Sequence, residues 1–267
     1  MARNRKTKKL SDEEQMEFDK IVSHQLENHH NSEQKNTVQS ILKQIHIDIK
    51  CKSENQKKLV NSIKENEITI CEGVAGTGKS YLACAEVLKL LKTNPIYKKI
   101  VLVKSVTTLD SESIGYIKGS FDEKISYPFF SFTGNMEKLI GKSLLTKLRE
   151  LELIEYLPLT FVRGVSIDNS LIVIDEAQNI SVDNMRTIMT RIGDNSKLII
   201  LGDTRQIDMK NKKDSSLSRI MLKFENLDDF GIVRLGKEDI VRHRLIGMIE
   251  DIFDEIEIEN LVKTPKK

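Results

Sequence analysis

Short apolar runs alternate with stretches of helical periodicity along the chain from about residue 51 onward. Ile, Val and Leu dominate these runs without a polar alternation, which is typical of parallel strands buried on both faces. The runs lie at Glu67–Glu72, Lys99–Lys104, Leu157–Arg163, Ser170–Asp175, Lys197–Gly202 and Gly231–Leu235. Helical patterns lie between them, for example at Val182–Arg191 and from Ser80 to about Leu91. The pattern predicts an α/β fold of three layers with a mostly parallel central sheet.

The first 50 residues follow a different pattern, in which helical spacing is not interrupted by strand-like runs. Ser11 and Glu14 form a capping box, and Phe18, Ile21 and Val22 continue at helical spacing. A polar break separates them from a second helical pattern, whose apolar positions are Val38, Ile41, Leu42 and Ile45. We therefore expect a short helical, partly disordered extension at residues 1–50 and one large domain at residues 51–262. Packing or self-association is the role that we assign to the extension.

The segment from about Thr107 to Glu155 is less regular than the rest of the large domain. It contains Pro128 among aromatic residues and then an amphipathic stretch from Met136 to Leu148. Residue types that stack bases and neutralise phosphates are present as Tyr127, Phe129, Phe130, Phe132, Lys104, Lys118, Lys124, Lys138 and Lys142. The same pattern fits a core-packing insertion with solvated lysines, and the sequence leaves both interpretations open.

One motif carries phosphate chemistry. The strand-like run Ile68–Cys71 leads into a complete G-x-x-x-x-G-K-S sequence, and a helix-like run follows it. The motif consists of Gly73, Val74, Ala75, Gly76, Thr77, Gly78, Lys79 and Ser80. Glycines let backbone N–H groups turn toward phosphate oxygens, and the helix N-terminus adds its positive dipole end. We expect Lys79 to reach the β- and γ-phosphates of a nucleotide and the Ser80 hydroxyl to bind Mg²⁺.

A second motif is the apolar strand that ends in Asp175-Glu176. A carboxylate at the end of a buried strand beside the phosphate loop can hold Mg²⁺ through water, and this is the role we expect for Asp175. The second carboxylate, Glu176, can polarise the water that attacks the γ-phosphate. Metal binding alone needs one acidic residue, so the pair favours hydrolysis.

A third apolar strand delivers polar groups to the same predicted edge of the sheet, through Gly202-Asp203-Thr-Arg-Gln206. Ligands of open α/β sheets bind at the carboxyl ends of the strands. We therefore expect Gln206 to contact the γ-phosphate and the attacking water.

Composition narrows the class of protein. The net charge of +2 does not indicate a generally basic nucleic-acid binder, although the N-terminus carries a basic cluster and residues 250–259 are acidic. The cysteines Cys51, Cys71 and Cys84 have no metal or redox spacing, and we expect buried thiols at Cys71 and Cys84. Because the sequence has no apolar stretch of membrane-spanning length, we expect a cytoplasmic protein without a membrane contact.

These motifs, in this order, resemble the PhoH-like family, described as phosphate starvation-inducible P-loop ATPases of the superfamily 1 helicase type. The resemblance is carried by GVAGTGKS, IDEAQ, TRIGDNSKLIILGDTRQID and DIVRHRL, and it extends from Asn55-Gln56 to about Phe253. It implies a RecA-like domain at residues 51–262, with ATP and Mg²⁺ as cofactors. Unlike longer family members, the chain shows no clustered carboxylates for two-metal cleavage, so RNase activity is not expected.

The resemblance also implies roles for three further residues. Gln56 corresponds to the glutamine that contacts adenine, although its own pattern is that of a solvated helix residue. Arg242 resembles the late arginine that stabilises transition-state charge on the γ-phosphate, and Arg191 is a second candidate for this role. The sequence leaves open which arginine acts, and whether it acts in its own subunit or in a neighbouring one.

A superfamily 1 helicase that works as a monomer needs two nucleotide-binding lobes, and this chain supplies one. We therefore expect a homo-oligomer, a ring with a hexamer as one candidate size, that couples ATP hydrolysis to single-stranded RNA or DNA. Two alternatives remain from the sequence: an ATP-gated assembly module without turnover, and a small-molecule kinase. The absence of an arginine-rich lid and the Asp175-Glu176 pair argue against the kinase.

Overall fold

The computed structural model describes residues 36–104, 129–159, 162, 164, 166–209, 211–241 and 245–263. The chain divides into two compact units, Met1–Gln44 and Ile45–Lys267. The described part of the first unit contains a helix at residues 36–43 (α1), where the second helical pattern of the extension lies. Arg242 falls outside the described residues, as do Tyr127, Lys118 and Lys124.

The second unit alternates strands with helices. Its strands are β1 (Ile68–Gly73), β2 (Lys99–Lys104), β3 (Ile154–Pro158), β4 (Ser170–Asp175), β5 (Lys197–Gly202) and β6 (Phe230–Leu235). Its helices are α2 (Glu54–Glu65), α3 (Lys79–Thr93), α4 (Phe130–Ile140), α5 (Lys142–Glu150), α6 (Val182–Met189), α7 (Leu217–Phe224) and α8 (Leu245–Lys263). Among the described residues, no helix has both the length and the apolar character needed to cross a membrane.

The strands form a six-stranded sheet in the order β3-β2-β4-β5-β1-β6, and all neighbouring pairs are parallel. Parallel strands end at the same edge, where α/β proteins bind ligands. β5 lies between β1, which leads into the phosphate loop, and β4, which ends at Asp175. The three motifs found in the sequence are therefore carried by adjacent strands.

Helices cover both faces of the sheet. On one face, Met185 and Ile188 of α6 and Met221 of α7 pack with strand residues such as Ile70 and Ile200 in one apolar cluster. On the other face, α3 contacts β2, β4 and β5, and α2 packs against α3 and β6. Burial of the strands on both faces explains why their sequences show no polar alternation. The predicted three-layer α/β fold with a parallel sheet is confirmed.

β3 lies earlier in the chain than the apolar pattern predicted. We expected a strand at Leu157–Arg163, and the structure places it at Ile154–Pro158, paired with β2 alone at the edge of the sheet. Pro158 has no N–H group with which to extend a ladder. Leu159 then accepts a backbone hydrogen bond from Val162 in a turn, and the buried side chain of Val162 joins the core. Core packing of this turn accounts for the apolar pattern beyond the strand.

The described part of the irregular segment consists of two helices, α4 and α5. Gly141 separates them with φ of 79°, a conformation that L-residues rarely adopt. Phe129 and Phe132 are fully buried, and the Phe129 ring stacks on Tyr156 with 4.9 Å between ring centroids. These two aromatics therefore pack in the core, which agrees with the core-packing interpretation of this segment, and they do not stack bases. Phe130 remains exposed.

Cys71 and Cys84 are fully buried, as predicted from their apolar neighbours. Burial raises the pKa of the Cys71 thiol to about 12, and it raises the pKa of Cys84 as well. Both side chains are therefore protonated and act as small apolar groups.

Candidate functional site

The phosphate loop is held in shape by glycines and by β6. Gly76 and Gly78 have φ of 86° and 82°, in the left-handed region, and α3 begins directly after Gly78. A Cβ at Gly73 would come within 2.9 Å of Leu235 Cβ, so only glycine permits this approach of β1 to β6. The Thr77 hydroxyl donates to the Val74 carbonyl at 2.9 Å. These contacts fix the loop around the N-terminus of α3, which is a favourable place for an anion.

Lys79 lies folded over its own loop. Its ammonium donates to the carbonyl of Gly73 at 2.7 Å and approaches the carbonyl of Val74 at 3.5 Å. A positive charge is thereby held beside the N-terminus of α3, where the sequence motif predicted it. A phosphate oxygen is a stronger acceptor for an ammonium than a carbonyl group is.

Ser80 and Asp175 meet across the site. The Ser80 hydroxyl donates to Asp175 Oδ2 at 3.0 Å, and Asp175 is only 3% exposed. A hydroxyl and a carboxylate are hard oxygen ligands, and Mg²⁺ is commonly held by one or two such groups together with water and substrate phosphates. Among the described residues there is no cluster of three or more acidic, His or Cys side chains that could hold a metal ion. The residues present therefore fit a Mg²⁺ ion that arrives with a nucleotide.

The carboxylate of Asp175 is under electrostatic strain. Burial raises its pKa above the ordinary range, and the neighbouring Glu176 raises it further. Lys104, Lys79 and the Ser80 hydrogen bond oppose this rise without cancelling it. A divalent cation at the site would favour the ionised form, because it places opposite charge beside a buried carboxylate.

This strain leads to a prediction for Asp175→Asn. Because the folded-state pKa is raised, the stability contributed by Asp175 is full below its unfolded pKa and is lost as the pH rises through its folded pKa. Without nucleotide at neutral pH, Asp175→Asn is therefore expected to raise the free energy of unfolding, by about 1.4 kcal/mol for each unit by which the pKa of Asp175 is raised. Urea denaturation of both proteins measures it, and the difference should shrink as the pH is lowered.

The control for this prediction is Asp194→Asn, which changes an exposed residue beside a turn far from the site. Its effect on unfolding should be small at every pH. Asp175→Asn should also lose the Mg²⁺-dependent part of nucleotide affinity. A less stable Asp175→Asn protein at neutral pH would contradict the assignment of strain to this carboxylate.

Glu176 is joined to the end of β5 by a residue that the sequence analysis did not single out, Gln178. The Gln178 side chain is fully buried, and its Nε2 donates to Glu176 Oε2 at 2.7 Å and to the Gln206 carbonyl at 3.0 Å. Its Oε1 accepts from the Asp203 N–H at 3.0 Å. Gln178 therefore fixes one carboxylate oxygen of Glu176 relative to the turn at residues 203–206. No signal in the sequence marks this buried amide, because two of its three partners, Asp203 and Gln206, follow another strand.

Gly202 makes room for this network. A Cβ at Gly202 would lie 2.8 Å from Gln178 Oε1 and 2.6 Å from Leu217 Cδ2. A second pair of hydrogen bonds runs in parallel: Asn179 Nδ2 donates to Asp208 Oδ2 at 3.1 Å, and Asp208 N–H donates to Asn179 Oδ1 at 2.8 Å. The segments after β4 and β5 are thus bonded to each other at two places.

A cavity of about 560 Å³ opens in front of these groups. Its lining residues are Ala75, Gly76, Gly78, Lys79, Ser80, Tyr81, Ser131, Asn135, Lys138, Asp175, Glu176, Asp203, Gln206 and Val241. The structure thus brings together the phosphate loop, the acidic pair and Gln206. It also adds a wall from α4 that the motifs did not predict. Lys138, which we had considered for nucleic-acid phosphates, belongs to this wall.

Gln56 lies at a neighbouring cavity of about 430 Å³, which shares Gly78, Tyr81 and Val241 with the first. Gln56 is 2% exposed, so it is not a solvated helix residue. Its Nε2 donates to the Thr77 carbonyl at 2.9 Å, and its Oε1 accepts from the Lys52 N–H at 2.6 Å. The amide thus connects the N-terminus of α2 to the phosphate loop, and it keeps one N–H and one lone pair for a ligand.

The structure does not bring Arg191 to this site. The Arg191 carbonyl accepts from the Ile167 N–H at 3.0 Å, and Ile167 precedes β4, whose opposite end is Asp175. At about 3.3 Å per residue, β4 alone separates the two positions by roughly 17 Å. Arg191 therefore lies toward the edge of the sheet opposite the phosphate loop. The residue before Arg242 does reach the site, because Val241 N–H donates to the Gly76 carbonyl at 3.1 Å.

A parallel sheet with a glycine phosphate loop, a lysine over that loop and a Ser–Asp pair at its edge defines the P-loop class of nucleotide-binding proteins. Residues 48–254 match the family model described as PhoH-like protein. The chain belongs to the PhoH-like family.

Relatives in several bacteria agree with this assignment. A PhoH-like protein of Mycobacterium tuberculosis strain H37Rv is 34% identical over 209 residues, which cover 78% of this chain and 59% of that protein. A PhoH-like protein of Bacillus subtilis strain 168 is 32% identical over 207 residues, which cover 78% of this chain and 64% of that protein. The chain therefore spans less than two thirds of the length of these relatives.

Among solved structures, a large terminase from a thermophilic bacteriophage aligns with a TM-score of 0.42 and 10% sequence identity. The alignment covers 73% of this chain and 48% of the terminase.

Proposed function

We propose that this chain is a Mg²⁺-dependent ATP hydrolase whose turnover is coupled to single-stranded nucleic acid. The observation that carries the hydrolase assignment is the cavity of about 560 Å³, which is lined by Lys79, Ser80, Asp175, Glu176 and Gln206 together. A phosphate cradle, a pair of metal ligands and a second carboxylate are what hydrolysis of a phosphoanhydride requires.

Lys79 and Ser80 would hold the nucleotide from the side of α3. On binding, the Lys79 ammonium would exchange the Gly73 carbonyl for β- and γ-phosphate oxygens, while N–H groups at the N-terminus of α3 would donate to the β-phosphate. Ser80 Oγ and Asp175 Oδ2 would hold Mg²⁺, which supplies neutralisation of the charge on these phosphates.

Glu176 is the residue that we assign to the attacking water. Gln178 already occupies Glu176 Oε2, so Oε1 is left to accept a hydrogen bond from water in the cavity. Gln206 lies exposed in the same cavity, where its side-chain amide can contact both the water and the γ-phosphate. The water would lose its proton to Glu176 as its oxygen bonds to the γ-phosphorus. The bond from that phosphorus to the β–γ bridging oxygen would break, so that ADP and inorganic phosphate are released.

Adenine would occupy the second cavity, beside Gln56. The N–H and the lone pair that Gln56 still has match the donor and acceptor on the edge of an adenine ring. Because both cavities share Gly78 and Tyr81, one ATP molecule can extend from the first to the second.

Transition-state charge needs an arginine, and among the described residues no arginine lines the cavity. The hydrogen bond between Val241 and Gly76 supports Arg242 as the arginine of the same subunit. Arg191, at the opposite edge, is suited only to the site of a neighbour. In a head-to-tail assembly, the edge of one subunit that carries Arg191 would lie against the phosphate-loop edge of the next subunit. Such contacts form a closed ring when the rotations between subunits add up to a full turn, which supports a homo-oligomeric ring such as a hexamer.

The helicase-type order of the motifs supports coupling of ATP hydrolysis to nucleic acid. Measurement of steady-state ATP turnover with and without single-stranded RNA or DNA tests this coupling. We expect ATP turnover to rise severalfold when either single-stranded RNA or single-stranded DNA is added, because a nucleic-acid-dependent motor hydrolyses ATP fastest while it is bound to the nucleic acid. Unchanged turnover would contradict the coupling and leave the hydrolase. Nucleotide binding without turnover would favour the ATP-gated module, and phosphate transfer only to an added metabolite would favour the kinase.

A further inference from the structure

α4 places one polar stripe in the nucleotide cavity. Ser131, Asn135 and Lys138 lie four and three residues apart, which puts them on one face of the helix. All three line the cavity together with Lys79, Asp175 and Glu176. A helix outside the motif set thus faces the groups that we assign to ATP hydrolysis.

The rotation of α4 is fixed by its other side. Phe132 and Met136 are fully buried, and α4 packs against α3, the helix that follows the phosphate loop. The Thr133 hydroxyl also forms a hydrogen bond of 2.8 Å with the Tyr156 hydroxyl. Because these contacts hold α4, the polar stripe cannot turn away from the cavity without breaking core packing.

The charged side chains that line the cavity indicate a specific role for Lys138. The described charged side chains that line the cavity are the carboxylates of Asp175, Glu176 and Asp203 and the ammonium groups of Lys79 and Lys138. Within the described part of the chain, Lys138 forms no ion pair, so no described carboxylate neutralises its charge. Lys79 is the cation of the phosphate loop, and Lys138 is a second cation on another element.

We propose that Lys138 binds the γ-phosphate and thereby makes the site prefer ATP to ADP. This rests on the proposed function, since it concerns the same nucleotide site. The phosphate loop would hold the phosphates that ATP and ADP share, and Lys79 would reach both the β- and the γ-phosphate. Lys138 adds a second cation to the same cavity from α4, on another element. When the γ-phosphate is released after hydrolysis, Lys138 loses the group that it binds, and α4 then loses its contact with the nucleotide.

Binding of ATP and ADP to variants of the full chain tests the proposal. The Glu176→Gln background slows hydrolysis by the factor of about 10² to 10⁴ expected for loss of a general base, so ATP itself is the probe, with Mg²⁺ present. Adding Lys138→Gln should weaken ATP binding about tenfold or more, because a charge-assisted hydrogen bond is lost. ADP affinity should stay within about twofold. Lys138→Arg, which retains the charge, should recover most of the ATP affinity.

Lys147→Gln is the matched control, because Lys147 is an exposed lysine on the next helix, α5, and is absent from the cavity lining. It should change neither affinity. An equal loss for ATP and ADP in Lys138→Gln, or no loss, would overturn the proposal. The proposal would also be overturned if Lys138→Gln, measured without nucleotide, lost affinity for single-stranded RNA while the ratio of ATP to ADP affinity stayed unchanged. Lys138 would then be a nucleic-acid-binding residue.

The two proposals fail in different ways. Wild-type protein that binds both nucleotides without hydrolysing ATP would remove the proposed hydrolase, while the affinity ratio would still decide the role of Lys138. Wild-type protein that hydrolyses ATP, with an unchanged affinity ratio in Lys138→Gln, would remove the role of Lys138 alone.

Discussion

Glu176→Gln is expected to lower the turnover number for ATP hydrolysis by a factor of about 10² to 10⁴, the usual contribution of a positioned general base. An amide of the same shape cannot accept the proton of the attacking water. ATP affinity should change much less, within about threefold, because the phosphate loop and the Ser80–Asp175 pair remain. Phosphate release gives the rate, and titration with ATP and Mg²⁺ gives the affinity.

The control for this prediction is Glu155→Gln. Glu155, on the edge strand β3, forms an ion pair at 2.6 Å with Lys99 of the neighbouring strand β2, and neither residue lines the cavity. Its replacement should leave turnover within about twofold of the wild type. If Glu176→Gln retained most of the activity, the attacking water would have to be activated by another group, and the assignment of Glu176 would be wrong.

Gln178→Leu is expected to reduce both turnover and stability, although Gln178 is absent from the lining of the nucleotide cavity. The substitution removes the hydrogen bonds to Glu176 and to the Gln206 carbonyl, and it leaves the Asp203 N–H without its acceptor. Each buried group left unpaired costs about 1–3 kcal/mol, so the free energy of unfolding should fall by several kcal/mol. Turnover should fall about tenfold or more, because Glu176 and residues 203–206 are no longer held together.

Gln178→Glu tests the same link with a charged side chain. The ionised carboxylate keeps the acceptor for the Asp203 N–H, but it places a buried negative charge against Glu176 and the Gln206 carbonyl, where the amide donates in the wild type. Turnover should fall at least as far as for Leu, and the free energy of unfolding should fall further. Urea denaturation and the steady-state rate at saturating ATP measure the two quantities. A Leu variant with wild-type turnover would show that the link between β4 and β5 is not needed for hydrolysis.

The strands that position the motifs were predictable because their burial is continuous. Ser170–Asp175 and Lys197–Gly202 are buried on both faces and flanked by polar residues, so their ends follow from the apolar run alone. β3 was misplaced because it pairs on one side only, and a buried turn after Pro158 prolongs the apolar pattern. An apolar run in a sequence indicates which residues are buried. At an edge strand, the buried residues need not be the ones whose backbones form hydrogen bonds with the neighbouring strand.

A residue of the candidate site was predictable from the sequence when the same short motif contains both that residue and the group with which it forms a hydrogen bond. Lys79 contacts Gly73 within the phosphate loop, so a local pattern suffices. Gln178 and Lys138 were not predictable in this way, because their neighbours come from β5 and from the phosphate loop, distant in the sequence. Burial of Gln56 was missed for the same reason, since its helix alone indicates a solvated position.

The position of β5 between β1 and β4 has a mechanical consequence. Hydrogen-bonded neighbours in a sheet keep fixed spacings, so the phosphate loop, the turn at residues 203–206 and the acidic pair form one rigid frame. The wall on α4 is attached by side-chain packing and by the hydrogen bond between Thr133 and Tyr156, contacts that permit small sliding movements along the helix. Under the proposed role of Lys138, exchange of ATP for ADP should therefore leave the frame at constant dimensions and displace α4.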